Sequence, residues 1–357
     1  MAAPSRDGAR PVPEVQRPPD LRAAGDPGNV RRALEEPMKD VVIAGWSNLR
    51  PDQLQQVARR CRLTLTPDSA LEAMRNAEIL VLGQAIPVTT SLLRDLPDLR
   101  MVIAGSSTVE HIDIAACAEA DVNVRWFPGY CAKAVAEHTL TCILMGLTQV
   151  LPAVDNVRRG SWDSFGFPAR EFSGRMVAVI GFGATGRIVH DLCAVLGFVT
   201  RAITAETGEQ ERAETLSAAD VITLHADINS TSRRLLGRRE MDMLRDDVVI
   251  VNTAEGSLLD EFALVDFLTG NPRASALLDV CEVEPLVPDH PFRGLSNLVV
   301  TPHVAWNSEE SDAYLADQVY VALMNAIDNG WTTPDGQTGV RLLTELSTDA
   351  RRHDGKC

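Results

Sequence analysis

The chain has 357 residues, 45% of them hydrophobic, and a formal net charge of −15. This length allows one to three domains with substantial cores, and the acidic balance argues against nucleic-acid binding, which needs clustered Lys and Arg. Apolar runs fall short of the roughly 18 residues that a membrane span requires, and the N-terminus lacks an apolar signal core. The sequence therefore predicts neither a nucleic-acid partner nor a membrane partner.

The seven cysteines indicate a reduced, cytoplasmic environment. Their number is odd, none forms a C-x-x-C pair, and several lie inside apolar runs. A disulfide framework in a secreted protein uses an even number of cysteines at regular spacing. We therefore expect mostly buried thiols, and we predict no metal site.

The first 40 residues differ in composition from the segment that follows. They are rich in Pro, Arg, Ala, Gly and acidic residues, which predicts disorder; the interspersed acids argue against a transit peptide. From residue 41 to about 151, strands alternate with helices, as in a parallel α/β domain. Strands are predicted at 41–44, 78–82, 101–104 and 122–124, and helices at 51–61, 70–75, 90–96 and 115–120. A long helix at 132–159, with a kink at Pro152, ends this segment.

A glycine-rich turn follows the next predicted strand directly. The strand is predicted at 175–180, a helix with apolar residues at helical spacing at 187–196, and a second strand at 198–203. Between strand and helix lies G-x-G-x-x-G. Its first glycine permits a tight turn, its second lets backbone N–H groups approach a pyrophosphate, and its third lets the helix pack closely on the strand. The sequence therefore predicts a dinucleotide site at Gly181, Gly183, Ala184, Thr185 and Gly186.

The acidic residue that normally binds the ribose hydroxyls, and favours NAD over NADP, is missing from the end of the second strand. Thr204 occupies this end, and Glu206 follows two residues later. Thr204 is neutral and would not repel a 2′-phosphate, whereas no arginine directly follows to attract one. We expect Thr204 to contact the cofactor, and the choice between NAD and NADP stays open.

The rest of the pattern continues the parallel sheet and ends on a long helix. Strands are predicted at 221–225, 248–252, 275–279 and 298–301, and helices at 239–244 and 259–269. A closing helix is predicted at 308–329, and the polar residues 331–357 are expected to fray. The chain is thus predicted to be α/β, with two Rossmann-like, doubly wound parallel-sheet domains.

Six groups of short motifs, in order along the chain, resemble those of the D-2-hydroxyacid dehydrogenase family, which includes phosphoglycerate, glycerate and formate dehydrogenases. They are E-H-I-D at 110–113, P-G-Y with V-A-E-H-T-L at 128–140, G-S-W at 160–162, N-T-A-x-G at 252–256, L-D-V with E-P at 278–285, and T-P-H at 301–303. The resemblance implies a cofactor domain at 152–305, inserted into a flavodoxin-like substrate domain at 41–151 and 306–330, with the active site in the cleft. It also implies a small-molecule substrate and a homodimer formed through the cofactor domain.

The resemblance implies a role for each main candidate residue. His303 would donate a proton to a carbonyl oxygen during reduction and take it back during oxidation. Glu284 would hydrogen-bond the other ring nitrogen and orient the ring, with Glu282 as a less favoured substitute. Asp279 would contact the nicotinamide carboxamide or, alternatively, cap the loop 281–285. The predicted cofactor-binding set also includes His225, Thr253 and Ala254.

The chain departs from the family pattern at several positions. Glu255 stands where the family places the arginine that binds the substrate carboxylate. A guanidinium donates two parallel hydrogen bonds to a carboxylate, whereas two like charges about 4 Å apart repel by about 4 kcal/mol at an effective dielectric constant of about 20. An ordinary 2-keto acid is therefore expected to bind poorly. The other departures are Cys131 for an asparagine, Asp227 for a proline, and the substrate loop Ser106, Ser107 and Thr108 for glycines.

Three explanations of Glu255 stay open. The substrate lacks a carboxylate at that end or carries an amine that pairs with Glu255; another cation, such as Lys133, reaches the site; or hydride transfer has been lost. Because His303 and Glu284 are retained, the preferred function is an NAD(P)-dependent oxidoreductase acting on an atypical hydroxy or keto substrate, which Glu255 helps to select. The alternatives are an NAD(H)-binding, corepressor-like regulator, which residues 305–308 resemble over a short stretch, and a redox-neutral enzyme on the same fold.

Overall fold

The computed structural model describes residues 38–46, 48–67, 70–228 and 232–330, which form two parallel β-sheets with flanking helices. The disorder predicted for the N-terminal tail falls almost entirely on residues 1–37, and the fraying predicted for the C-terminal tail on residues 331–357; both lie outside the described residues. In each sheet the first strand in sequence lies inside the strand order. The predicted α/β class and doubly wound plan are therefore confirmed.

The first sheet has five parallel strands in the order β2-β1-β3-β4-β5. Its strands are β1 (Asp40–Ala44), β2 (Arg62–Thr66), β3 (Ile79–Leu82), β4 (Met101–Ala104) and β5 (Asn123–Arg125). Its helices are α1 (Pro51–Ala58), α2 (Leu71–Met74), α3 (Thr90–Asp95) and α4 (Ile114–Glu119). Every residue of β3 and β4 is buried, as expected for strands covered on both faces. The strand order reverses between β1 and β3, which opens a crevice at their carboxyl ends.

The long helix predicted at 132–159 is two helices, α5 (Ala132–Thr148) and α6 (Val150–Arg158), with a bend of 66° between them. The prediction that Pro152 causes the bend is wrong. The break lies at Gln149, whose left-handed backbone (φ 53°, ψ 33°) ends α5. Pro152 lies in the first turn of α6, where backbone N–H groups have no intrahelical partner, so it does not interrupt that helix.

No single helix in the described ranges combines the length and the hydropathy of a membrane span. Together, α5 and α6 reach that length and composition, but α5 buries much of its surface in the protein core.

The second sheet has six parallel strands in the order β11-β10-β9-β8-β6-β7. Its strands are β6 (Met176–Ile180), β7 (Val199–Ile203), β8 (Val221–Leu224), β9 (Val249–Asn252), β10 (Ser275–Leu278) and β11 (Leu298–Val300). Its helices are α7 (Ala184–Val195), α8 (Glu209–Ala218), α9 (Arg238–Met241) and α10 (Glu261–Gly270). The order reverses between β6 and β8, so the glycine turn after β6 lies at the position where open α/β sheets bind ligands.

Two helices cross from one sheet to the other. In sequence, α5 follows the first sheet, yet its Ile143 packs in one core with Val249 of the second sheet. The closing helix, α11 (Glu309–Asn329), follows the second sheet but returns to the first, where Leu315 and Val319 pack with Val41. These crossings join the two sheets into one body.

Sequence reasoning missed two elements, β2 and α8. No residue of the edge strand β2 is buried, and Leu65 is more than half exposed. Helix α8 buries only Leu216 and is otherwise polar. Neither segment has the apolar run or stripe that identified the other elements. Most of the remaining predicted elements are present, with ends shifted by up to a few residues, because hydrogen bonding rather than hydropathy sets the boundaries.

Candidate active site

Loops at the carboxyl ends of both sheets enclose a cavity of about 320 Å³. Parallel strands place their carboxyl ends at one edge of a sheet, so side chains distant in sequence meet here. The residues that follow β1, β3 and β4 are Gly45, Trp46, Gly83, Gln84, Gly105, Ser106 and Ser107. Those that follow β9, β10 and β11 are Thr253, Ala254, Glu255, Asp279 and His303.

His303 and Glu284 are in direct contact. Nδ1 of His303 lies 2.8 Å from Oε2 of Glu284. The other carboxylate oxygen of Glu284 accepts a hydrogen bond from the backbone N–H of Cys281 (3.0 Å), which fixes its orientation. The less favoured substitute, Glu282, instead forms an ion pair with Arg233 (2.7 Å). Within the described residues Nε2 of His303 makes no hydrogen bond, so this nitrogen is available to a ligand oxygen.

The buried carboxylate of Asp279 holds the loop that carries His303. It is 1% exposed and accepts hydrogen bonds from the backbone N–H groups of Val304 (2.9 Å) and Ala305 (2.7 Å) and from the Thr301 hydroxyl. Its backbone carbonyl accepts the N–H of His303 (2.9 Å), whose backbone is left-handed (φ 54°). These bonds reach residues 301–305 rather than the loop 281–285, so they do not match the capping alternative. The nicotinamide contact stays a prediction.

The Glu255 carboxylate lines the cavity, and no residue that the structure describes is its partner. Its backbone carbonyl accepts hydrogen bonds from the Asn252 side chain (2.8 Å) and the Leu258 N–H (3.2 Å), which fix the turn after β9. No hydrogen bond or ion pair from the described residues reaches the carboxylate oxygens. Burial raises the pKa of Glu255 to about 7. The neighbouring charges, largest effect first, are Glu110, His303, Glu284 and Asp227, of which only His303 lowers this pKa.

No Lys or Arg of the described ranges lines this cavity. Lys133 lies on α5 with its side chain 83% exposed and its Nζ 3.7 Å from Glu137. The structure therefore does not support the explanation in which Lys133 replaces the family arginine. A carboxylate that enters the cavity would meet Glu255, and among the described residues that line the cavity only His303 could offset the repulsion.

The glycine turn fits the diphosphate of a dinucleotide. A Cβ on Gly181 (φ 94°) would lie 2.4 Å from the backbone of His225, and a Cβ on Gly186 would lie 2.2 Å from the Gly181 carbonyl, so both positions need glycine. Gly183 is the N-cap of α7, and a Cβ there would meet no atom within 4 Å. Open space at this helix N-terminus, where Ala184 and Thr185 begin α7, is what an anionic diphosphate requires.

A carboxylate is present at the end of β7 although Thr204 itself is neutral. The Thr204 hydroxyl donates a hydrogen bond to Glu206 (2.6 Å), and this bond lowers the pKa of Glu206. An acidic group therefore lies two residues beyond the position at which the fingerprint normally has one. A carboxylate here favours ribose hydroxyls over a 2′-phosphate.

The remaining predicted cofactor residues follow β8 and β9. His225 lies beneath the glycine turn, with Nε2 2.8 Å from the Thr223 hydroxyl, and in the described residues its buried Nδ1 has no partner. Burial lowers the pKa of His225 to about 3, so the ring is neutral. The Thr253 and Thr139 hydroxyls are 2.6 Å apart, which ties β9 to α5. Ala254 lines the cavity beside Thr253.

The substrate loop after β4 is only partly turned toward the cavity. Ser106 and Ser107 line it, but the Ser106 hydroxyl donates a hydrogen bond to the Thr108 carbonyl (2.7 Å), which stabilises the loop itself. Cys131 also lines the cavity. Sequence reasoning missed further wall residues, although their places after predicted strands or beside motifs could have indicated them: Trp46, Gln84, Tyr130 and Trp306.

Comparison with known proteins identifies this arrangement. Residues 140–305 match the family model described as D-isomer specific 2-hydroxyacid dehydrogenase, NAD binding domain. The chain is 29% identical over 266 residues to glycerate dehydrogenase from Methylorubrum extorquens, covering 72% of this chain and 84% of that protein. It is 29% identical over 258 residues to D-3-phosphoglycerate dehydrogenase from Methanocaldococcus jannaschii, covering 69% of this chain but only 49% of that relative, about half its length.

A solved structure shares the fold. D-lactate dehydrogenase from Aquifex aeolicus, in complex with NAD and lactic acid, is similar with a TM-score of 0.73 at 22% identity, covering 84% of this chain and 99% of that one. This chain belongs to the D-isomer specific 2-hydroxyacid dehydrogenase family, oxidoreductases that act on CH–OH groups with NAD(P). The family resemblance inferred from the motifs is thereby confirmed.

Gly183→Ala should fold like the wild type but bind NADH about tenfold more weakly or worse, because the added methyl group occupies the open space before α7. Fluorescence titration measures the affinity, and thermal denaturation measures the stability. Gly270→Ala, at the end of α10, is the control because its Cβ also meets no atom within 4 Å. Unchanged NADH affinity in Gly183→Ala would mean that the cofactor binds elsewhere.

Glu255→Gln should raise the free energy of unfolding at about pH 8.5, by up to about 2 kcal/mol after allowance for solvent screening, and change it little at about pH 4.5. The pKa of Glu255 rises from 4.5 to about 7 on folding. The folded chain therefore binds this proton more tightly, and stability falls as the pH rises between those values. Urea denaturation at both pH values measures the difference. Glu137→Gln, at an exposed position on α5, should not show this gain.

Proposed function

We propose that this protein is an NAD(P)-dependent oxidoreductase that transfers hydride between nicotinamide and a hydroxy or keto substrate without a carboxylate at the Glu255 end. The observation that carries the proposal is the pair of His303 Nδ1 and Glu284 Oε2 at 2.8 Å, with the His303 ring lining the same cavity as Glu255. An imidazole that a carboxylate holds at one nitrogen, in a ring that lines a cavity, is an arrangement for proton transfer.

The proposed mechanism assigns each of these groups one task. When bound, the nicotinamide supplies or accepts the hydride. During reduction Nε2 of His303 donates a proton to the substrate oxygen, and during oxidation it accepts one. Glu284 fixes the ring orientation and stabilises the imidazolium. Glu255 contacts the group beside the reacting carbon and excludes substrates with a negative charge there.

We propose NAD as the preferred cofactor, because Glu206 brings a carboxylate to the end of β7. The free and buried state of the six described cysteines supports a cytoplasmic protein, where thiols stay reduced.

A homodimer is also proposed. Val150, Val154 and Val157 follow helical spacing on α6 and are 46%, 38% and 52% exposed, and Trp162 and Phe165 after it are 84% and 94% exposed. An apolar surface of this kind is typical of an interaction site. A second copy can cover it through the self-complementary contact of a two-fold dimer.

His303→Asn should lower kcat at least a hundredfold, and Glu284→Gln about tenfold or more, with NADH affinity unchanged in both. The measurement is the loss of NADH or NADPH absorbance with a panel of ketones, hydroxy ketones and 2-keto acids. Glu255→Arg is tested on the same panel and should gain activity on 2-keto acids. If neither wild type nor Glu255→Arg oxidises the bound nucleotide with any carbonyl compound, the proposal of hydride transfer is wrong.

The double variant Val154→Glu, Val157→Glu should sediment as a monomer where the wild type sediments as a dimer, because two carboxylates would be buried at the interface. Analytical ultracentrifugation distinguishes the two states. Val195→Glu is the control, since Val195 is an equally apolar residue, 86% exposed, on α7. A monomeric wild type, or a double variant that stays dimeric, would contradict the assignment.

A further inference from the structure

The cavity beside His303 combines one free carboxylate with aromatic walls. Glu255 is the acid, and the aromatic residues are Trp46, Tyr130 and Trp306. We infer that the substrate is an amino ketone, or the matching amino alcohol, whose protonated amine pairs with Glu255. This inference rests on the proposed function, because it specifies the substrate of the same site.

Charge is the first argument. Asp279, the other acid in the wall, uses its oxygens to hold residues 301–305. Glu255 has no partner for its carboxylate among the described residues, and none of them supplies a Lys or Arg to the cavity. A half-buried carboxylate is stabilised when a cation forms a hydrogen bond with it. Because no Lys or Arg of the described residues lines the cavity, a cationic ligand is the complement that the Glu255 carboxylate lacks.

The aromatic walls are the second argument. The Trp46 indole is packed on the glycines that follow β3 and β4, since a Cβ on Gly105 would lie 2.5 Å from its Nε1. The Trp306 indole is anchored by a hydrogen bond from Nε1 to the His303 carbonyl (2.9 Å). Indole and phenol rings attract an ammonium group that lies over their faces. A carboxylate ligand would gain nothing from these faces.

The charges around Glu255 also favour binding of a cationic ligand. Burial raises the pKa of Glu255 to about 7, with Glu110, Glu284 and Asp227 adding to the effect. A bound ammonium group favours the ionised form of Glu255 and offsets its repulsion by the neighbouring carboxylates. The formal charge of −15 also raises the local concentration of cations and lowers that of anions.

Three ketones of nearly equal size test the inference: aminoacetone is cationic, hydroxyacetone is neutral and pyruvate is anionic. In the wild type, kcat/KM with NADH should be about tenfold or more higher for aminoacetone than for hydroxyacetone, and lowest for pyruvate. In each reduction NADH is oxidised, the carbonyl carbon gains the hydride, and its oxygen gains the proton from His303. Glu255→Gln should remove the preference for aminoacetone, and Glu255→Arg should reverse it toward pyruvate. Glu137→Gln should leave the order unchanged.

A binding measurement separates this inference from the proposed function. Calorimetric titration of the NAD-saturated protein with 1-amino-2-propanol should show affinity that falls about tenfold or more in Glu255→Gln. Equal affinity in wild type and Glu255→Gln, or a wild-type preference for pyruvate or hydroxyacetone, would overturn the inference while leaving hydride transfer intact. If 1-amino-2-propanol binds through Glu255 but none of the ketones is reduced, the pairing of a protonated amine with Glu255 holds, whereas the proposal of hydride transfer, and with it the role of the amino ketone as substrate, falls.

Discussion

The geometry of the active site depends on one buried carboxylate, that of Asp279. It lies at the end of β10, is 1% exposed, and accepts the N–H groups of Val304 and Ala305 and the Thr301 hydroxyl. A buried charge of this kind is tolerated only with several hydrogen-bond donors, so the loop after β11 is held in one conformation. That conformation includes the left-handed backbone of His303 and brings its ring to Glu284. The contact between His303 and Glu284, the pair proposed for proton transfer, therefore depends on the carboxylate at the end of β10, which binds the loop after the neighbouring strand β11.

The second constraint is the sign of the charge opposite His303. The fold and the glycine turn are those of the family, and we propose that the His303–Glu284 pair serves proton transfer during reduction of a carbonyl group. Glu255 limits which substrate groups can bind beside that carbonyl. Its carboxylate is half-buried and near other acids, and no Lys or Arg of the described residues lines the cavity. On the proposed function, the same arrangement of residues acts on a different substrate class, and the aromatic walls favour a cationic substrate. On this proposal, the charge of Glu255 selects the substrate.

Much of the fold and several residues of the candidate site can be predicted from the amino-acid sequence. The glycine turn, the buried strands and the T-P-H histidine were predicted because short apolar runs and glycines at fixed spacing have few structural meanings. The weak points were β2 and α8, whose side chains bury little apolar surface, and the bend between α5 and α6. The sequence favours Pro152 as the cause of the bend. The bend lies instead at Gln149, whose left-handed backbone cannot be predicted from its residue type. Lys133 was a reasonable candidate from its position near the site, and only its exposure showed that it points elsewhere.

The sequence by itself determined the α/β class, the dinucleotide turn, the family and the reversed charge at Glu255, because each depends on local pattern or on residue type. The tertiary structure decided which side chains line one cavity, where Glu255 meets His303 and Trp46 meets Trp306. It also decided that Asp279 binds the loop after β11 and that the Glu255 carboxylate has no partner in the described part of the chain. The physical reason is that a carboxylate's hydrogen bonds, burial and pKa depend on neighbours brought from other strands, and sequence separation does not encode those distances.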